Sequence, residues 1–154
     1  MRSITLITIL SLIIVLSGCS NGGSSSSPSN SVPPSVNVQG VWFGTWNSDG
    51  IEGSVTLELC QNDAKITGMA NLTDNLCFSE GNIAGSISGN NLLGSITSNG
   101  DEIDISVNFA GSKTSATGTY TIINALTCTG LNGSLTLSYN GQASQWLTFC
   151  DTSE

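Results

Sequence analysis

One local pattern recurs along the chain from Val38 onward: a glycine, a serine or threonine, an apolar residue, and then another polar residue. It occurs as Gly44-Thr45-Trp46, Gly53-Ser54-Val55, Gly85-Ser86-Ile87, Gly94-Ser95-Ile96, Gly118-Thr119-Tyr120 and Gly133-Ser134-Leu135. Alternation of apolar and polar residues with a period of two is the signature of a β-strand with one face buried. The pattern therefore predicts a domain built from half-buried strands.

Turn-forming pairs separate these runs, namely Asp49-Gly50, Asn62-Asp63, Asn90-Asn91, Asn99-Gly100 and Asn140-Gly141. Runs and turns together predict eight strands, at residues 38–47, 53–60, 64–72, 82–88, 91–98, 102–109, 114–123 and 132–139. The sequence between them contains no helix of any length. Consecutive antiparallel strands that close on themselves leave no exposed sheet edge. We therefore expect an all-β fold, an antiparallel up-and-down barrel.

The residues that share the inward parity are nearly all apolar. They are Trp42, Trp46, Val55, Leu57, Leu59, Ile66, Ile83, Ile87, Ile96, Ile103, Ile105, Val107, Phe109, Tyr120, Ile122, Leu135, Leu137 and Tyr139. An eight-stranded barrel can be filled by such side chains or can hold one small ligand. With no inward charge, a ligand would be apolar. The aromatic residues would contact it, namely Trp42, Trp46, Phe109, Tyr120 and Tyr139.

Glycines occupy inward positions as well, including Gly68, Gly85, Gly94 and Gly118. Two interpretations are open for them. They can relieve crowding where the strands of a small barrel coil sharply, or they can leave a cavity of ligand size. The choice between a closed core and a carrier depends on interior volume.

The first strands resemble those of the calycins, the class of barrels that includes lipocalins and avidins. Gly40-Val41-Trp42 is similar to the lipocalin Gly-x-Trp, and Gly44-Thr45-Trp46-Asn47, Gly53-Ser54-Val55 and Ile66-Thr67-Gly68 are similar to the first three avidin strands. The resemblance implies a calycin-type barrel. Biotin binding is not implied. Ala70 stands where avidins carry a ligand-contacting tyrosine, and Trp146 lies beyond the eighth strand.

The N-terminal residues have the pattern of an export signal. Arg2 precedes an apolar run at residues 4–16, which is too short to span a bilayer but suits a signal peptide. The run ends in Leu16-Ser17-Gly18-Cys19, which resembles the lipobox of bacterial lipoproteins. That resemblance implies removal of residues 1–18 as a signal peptide and lipidation of the Cys19 thiol. The alternative is an ordinary signal peptide with a cysteine at this place by chance.

Residues 19–36 form a stretch rich in serine, glycine and proline, which predicts a disordered tether after the lipidated cysteine. The barrel domain is then expected at residues 37–154. This arrangement places the protein in the cell envelope, anchored by lipid to the cell membrane or outer membrane, and facing the periplasm or the exterior. In a Gram-negative cell, Ser20 favours the outer membrane, because lipoproteins of the inner membrane typically carry aspartate there.

If Cys19 carries lipid, the other four cysteines suffice for two disulfides, which an oxidising compartment such as a periplasm favours. Cys77 and Cys128 fall in loops at one end of the predicted barrel. Cys60 closes the second strand at the other end, where the chain emerges after the eighth strand toward Cys150. These positions favour Cys77–Cys128 and Cys60–Cys150. A ninth strand beginning at Asn140-Gly141 would instead carry Cys150 back to the first end.

Several chemistries are disfavoured. The chain has no histidine, and 3 basic residues stand against 11 acidic ones, so nucleic-acid binding and histidine-based catalysis are not expected. The four thiols include no close pair, which disfavours a metal site. Asp101-Glu102-Ile103-Asp104 is either a calcium loop or, as we expect, a hairpin entering a strand.

The sequence does not indicate any pair of carboxyl groups that would converge in a cleft for acid–base chemistry. We therefore expect no enzyme, cofactor or metal. The sequence favours a lipid-anchored envelope protein whose small barrel has a structural or interaction role. The alternative is a lipocalin-like carrier of a small apolar ligand. Partners other than the membrane and this possible ligand are not indicated.

Overall fold

The computed structural model describes residues 32–74, 77–125, 128–141 and 150. The expected signal peptide at residues 1–18, the lipidation site Cys19 and most of the expected tether lie outside the described residues. Within the described part of the chain, no helix is long and apolar enough to cross a bilayer.

Eight antiparallel strands form a closed barrel in which each strand pairs with its neighbours in sequence and β8 pairs with β1. They are β1 (Gly40–Ser48), β2 (Ile51–Asn62), β3 (Lys65–Leu72), β4 (Glu80–Ser88), β5 (Asn91–Ser98), β6 (Asp101–Phe109), β7 (Ser115–Asn124) and β8 (Asn132–Tyr139). The predicted all-β up-and-down barrel is confirmed, and it agrees with the calycin-type architecture that the resemblance implied.

The hairpin turns adopt the backbone that their sequences indicated. Asp49 and Gly50 have φ values of 49° and 85°, and Asn99 and Gly100 have 51° and 95°. Two consecutive residues with positive φ match the right-handed twist of the flanking strands, which is why Asp-Gly and Asn-Gly are favoured there. We call the end with the β1–β2, β3–β4, β5–β6 and β7–β8 connections the distal end, and the opposite end the proximal end.

The barrel interior is filled by side chains. Every residue predicted to face inward is buried, except that Tyr139 is half-buried. The interior cavity has a volume of about 10 Å³ and lies among Val55, Leu57, Ile105 and Leu135. That space is no larger than a single water molecule needs. The core is therefore closed.

The inward glycines bring strand backbones close together, and the small interior cavity is lined by other residues. A Cβ atom at Gly68 would lie 2.0 Å from the carbonyl oxygen of Glu58 on the neighbouring strand. Gly85 and Gly94 are cross-strand partners, and a Cβ atom on either would lie 2.5 Å from a backbone oxygen. Of the two interpretations of these glycines, the structure shows the relief of crowding in a tightly coiled barrel.

Residues 32–39, which we call the strap, close the proximal end. Val36 and Val38 are buried, and Val38 donates its backbone N–H to Oε1 of Gln61 (2.8 Å). Backbone hydrogen bonds join the strap to Gly89: Ser35 N donates to Gly89 O (2.9 Å), and Gly89 N donates to both Val32 O (3.2 Å) and Pro33 O (3.3 Å). Residues 32–36, expected as the end of the tether, thus belong to the folded domain.

The first strand begins at Gly40 and not at residue 38 as predicted. Gly40 has a φ of 138°, a conformation that L side chains rarely adopt, and a Cβ atom there would collide with the Tyr139 ring. The chain bends at this glycine. As a result, Val38 turns into the core instead of pairing with β2.

Candidate functional site

The five aromatic residues predicted to contact a ligand fall into two groups at opposite ends of the barrel. Trp42, Phe109 and Tyr139 lie at the proximal end. The ring centroids of Trp42 and Phe109 are 4.8 Å apart in an edge-on arrangement, and those of Trp42 and Tyr139 are 5.2 Å apart. The Trp42 indole donates to the Val38 carbonyl (2.8 Å). This group is packed beneath the strap.

Lys113 holds the strap over this aromatic group. Its Nζ atom donates to the Gln39 carbonyl (2.6 Å) and lies 4.4 Å from the centroid of the Tyr139 ring. A cation over an aromatic face is attracted by the negative charge of the π system. Nothing in the sequence pattern indicated this role for Lys113.

Trp46 and Tyr120 make up the second group, at the distal end. Each faces a glycine directly across the strand pair, Trp46 opposite Gly53 and Tyr120 opposite Gly133. A Cβ atom at Gly53 would lie 2.5 Å from the Trp46 indole nitrogen, and one at Gly133 would lie 2.6 Å from the Tyr120 hydroxyl. These glycines therefore make room for the two rings at the mouth of the barrel.

The distal mouth contains an apolar cleft of about 430 Å³, which we call the distal cleft. It is lined by Trp46, Ser48, Asp49, Ile51, Asp74, Cys77, Tyr120, Ile122, Cys128 and Leu131. Its volume falls within the range of small-molecule sites, roughly 300–1,000 Å³. The side chains of Ile51 and Leu131 are 62% and 44% exposed, so part of the apolar wall faces solvent.

Thr73 fixes one wall of the distal cleft. Its carbonyl accepts a hydrogen bond from the Trp46 indole (3.0 Å), and its hydroxyl lies 3.2 Å from Oδ2 of Asp74. Backbone and side chain of Thr73 are both hydrogen-bonded to the backbone of Ser54 on β2 (3.0 and 3.2 Å). On the opposite wall, the Ser48 hydroxyl donates to the Asn132 carbonyl (2.8 Å). The cleft is thus preformed.

The Tyr120 hydroxyl stays protonated at neutral pH. Burial raises the pKa of this group above its ordinary value, a hydrogen bond with Ser48 lowers it, and the nearby charge of Asp49 raises it. Burial is the largest of the three effects. A neutral phenol at the mouth of the barrel can donate a hydrogen bond as well as accept one.

Charge is divided unequally between the two ends. The distal end carries Asp49, Glu52, Asp74, Glu80, Asp101 and Glu102, by their positions in the strands and connections. The two lysines, Lys65 and Lys113, both belong to the proximal end, where Asp63 of the β2–β3 turn also lies. Among the described residues, the distal end therefore has no cation to offset its carboxylates.

Two disulfides hold the ends of the barrel, and they are the two pairs that the strand positions favoured. Cys77–Cys128 joins the β3–β4 and β7–β8 connections and lines the distal cleft. Cys60–Cys150 joins the end of β2 to the segment that follows β8, at the proximal end. Residues 142–149, where a ninth strand would begin, lie outside the described residues.

The acidic run after Asn99-Gly100 enters β6 directly, as the hairpin interpretation expected. Asp101 and Glu102 are half-buried and Asp104 is exposed. In the parts of the chain that the structure describes, no three histidine, cysteine or acidic residues are grouped so that they could hold a metal ion.

The sequence pointed to Trp46 and Tyr120 but missed the residues that complete the distal cleft. Ile51 and Leu131 stand beside turns, where a single apolar residue carries no pattern. The positions of Asp49 and Asp74 at one end follow from the predicted topology. The unequal distribution of charge between the two ends could therefore have been predicted from the sequence.

No protein-family model matches the chain, and no curated protein is similar to it at the level that indicates a relationship.

Proposed function

We propose that this protein is a cell-envelope lipoprotein, anchored through Cys19, whose barrel displays its distal end for interaction. The observation that carries the proposal is the division of charge along the barrel axis. The strap, and with it the chain leading back to Cys19, meets the barrel at the proximal end, beside Lys113. The acidic distal end lies at the opposite pole.

This division suits a domain held near an anionic membrane. The negative surface potential of such a membrane attracts lysines and repels carboxylates within about a Debye length of the surface. Lys65 and Lys113 would face the membrane, and the acidic distal end would face away. Residues 20–31 could extend at most about 40 Å, so the domain would stay close to the surface.

The closed core supports an interaction role over transport. A carrier needs an interior space for its ligand, and the interior cavity of about 10 Å³ holds none. We therefore do not adopt the alternative of a lipocalin-like carrier. We propose no catalytic role for the protein.

Replacing Cys19 with alanine tests the anchor. The Cys19→Ala protein is expected to leave the membrane fraction or to remain as an unprocessed precursor, because the thiol that receives the lipid is gone. Cell fractionation and immunoblotting measure both outcomes. Ser20→Ala serves as the matched control and should fractionate with membranes. A Cys19→Ala protein that is membrane-bound and of mature size would refute the lipoprotein assignment.

A further inference from the structure

The distal cleft is an apolar site whose polar edge is entirely acidic or neutral. Trp46, Ile51, Ile122 and Leu131 supply the apolar wall, while Asp49 and Asp74 are the only charged residues among the described ones that line it. Both carboxylates are exposed at the rim. The walls are held by Thr73 and by the disulfide Cys77–Cys128, so an occupant would enter a preformed space.

This combination selects the chemistry of an occupant. An anionic molecule would be repelled by Asp49 and Asp74 and by the neighbouring carboxylates of the distal end, with no lysine to compensate. A fully polar molecule would leave the Trp46 and Ile51 surfaces without apolar contact. A molecule with an apolar body and a positive charge satisfies both parts of the cleft.

We infer that the distal cleft binds a small organic cation of the arylalkylamine or alkylamine class, with its apolar body against Trp46 and Ile51 and its ammonium group toward Asp49 and Asp74. The cleft volume of about 430 Å³ admits one such molecule. The inference does not rest on the lipid anchor, since every residue that carries it belongs to the barrel.

The rim carboxylates offer a matched set of variants. Asp49, Asp74 and Asp63 all have positive φ values, of 49°, 59° and 52°, and are all exposed. Asparagine tolerates this backbone conformation well, so each Asp→Asn change removes a charge without straining the turn. Asp63 lies in the β2–β3 turn at the proximal end and thus serves as the control.

Calorimetric titration of the purified full-length mature protein, in zwitterionic lipid nanodiscs if it is membrane-bound, tests the inference with three probes of similar shape. They are 2-phenylethylamine, the neutral 2-phenylethanol and the anionic 3-phenylpropanoate, with empty nanodiscs as the blank. We expect the amine to bind roughly fivefold tighter than the alcohol at low salt, an advantage that salt should diminish. The anion should bind weakest.

The Asp→Asn variants test whether the rim carboxylates account for the preference for the amine. Asp49→Asn and Asp74→Asn should each weaken amine binding by up to about fivefold and leave alcohol binding unchanged, while Asp63→Asn changes neither. Ile51→Thr, which keeps a β-branched residue in the strand, should weaken both probes. Equal affinity for amine and alcohol, equal effects of Asp63→Asn and Asp74→Asn, or no binding of any probe at millimolar concentration would each overturn the inference. The two proposals fail separately. A protein that binds no amine but leaves the membrane fraction when Cys19 is replaced by alanine would still be a lipoprotein.

Discussion

Replacing Gly44 with alanine is expected to prevent the barrel from closing. Gly44 lies on β1 at the seam with β8, and a Cβ atom there would fall 1.7 Å from the carbonyl oxygen of Thr136 and 2.9 Å from the Cα atom of Leu137. Both are backbone atoms, so no side-chain rotation relieves the overlap. One strand must move away from the other and break the hydrogen bonds that close the barrel.

Overpacking in a well-packed core costs typically 1–3 kcal/mol, and we expect a loss above about 3 kcal/mol here because backbone is displaced. That loss is a large share of the 5–15 kcal/mol by which small domains are stable, as a rough guide. Urea unfolding followed by circular dichroism measures it. Gly111→Ala is the control, since nothing lies within 4 Å of its added Cβ atom. A Gly44→Ala protein with the urea midpoint of the parent would contradict the close approach of β1 and β8.

Loss of the disulfide Cys60–Cys150 should lower the stability of the domain by about 4–5 kcal/mol in the chain-entropy treatment. The bond joins residues 90 positions apart, and a cross-link that closes a long loop removes much entropy from the unfolded chain. The Cys60→Ala/Cys150→Ala double variant, which leaves no odd thiol of this pair, should melt more than about 15 °C below the parent.

The second disulfide provides the comparison. Cys77–Cys128 spans 51 positions, so its removal should cost slightly less, about 4 kcal/mol. Differential scanning calorimetry of both double variants gives the order. Peptide mapping without reduction gives the connectivity, and a link between Cys60 and Cys77 would contradict the barrel, since those residues belong to opposite ends.

The barrel itself was predictable because its sequence repeats one physical pattern. The bounds of β5 and β8 were predicted as observed, since Asn and Gly residues mark the neighbouring turns and the alternation between them is regular. The predicted strand order placed Cys60 and Cys77 at opposite ends of the barrel, and this favoured the two cysteine pairs that the structure contains.

Other features depend on distances that a strand pattern does not encode. Whether Gly68 or Gly85 borders a cavity is decided by how closely neighbouring backbones approach, which the parity of a residue does not reveal. Val36 and Val38 stand among serine, proline and asparagine, so nothing in the sequence indicated that they enter the core. The Thr73–Trp46 hydrogen bond, which fixes the wall of the distal cleft, joins residues 27 positions apart.

Intact mass spectrometry of the protein extracted from host membranes reports both on the lipid proposed at Cys19 and on the two disulfides of the barrel. We expect a chain that begins at Cys19, heavier than the bare polypeptide by its lipid and lighter by the hydrogens lost in two disulfides. A chain that begins at another residue, or that carries Cys19 without lipid, would refute the proposed anchor.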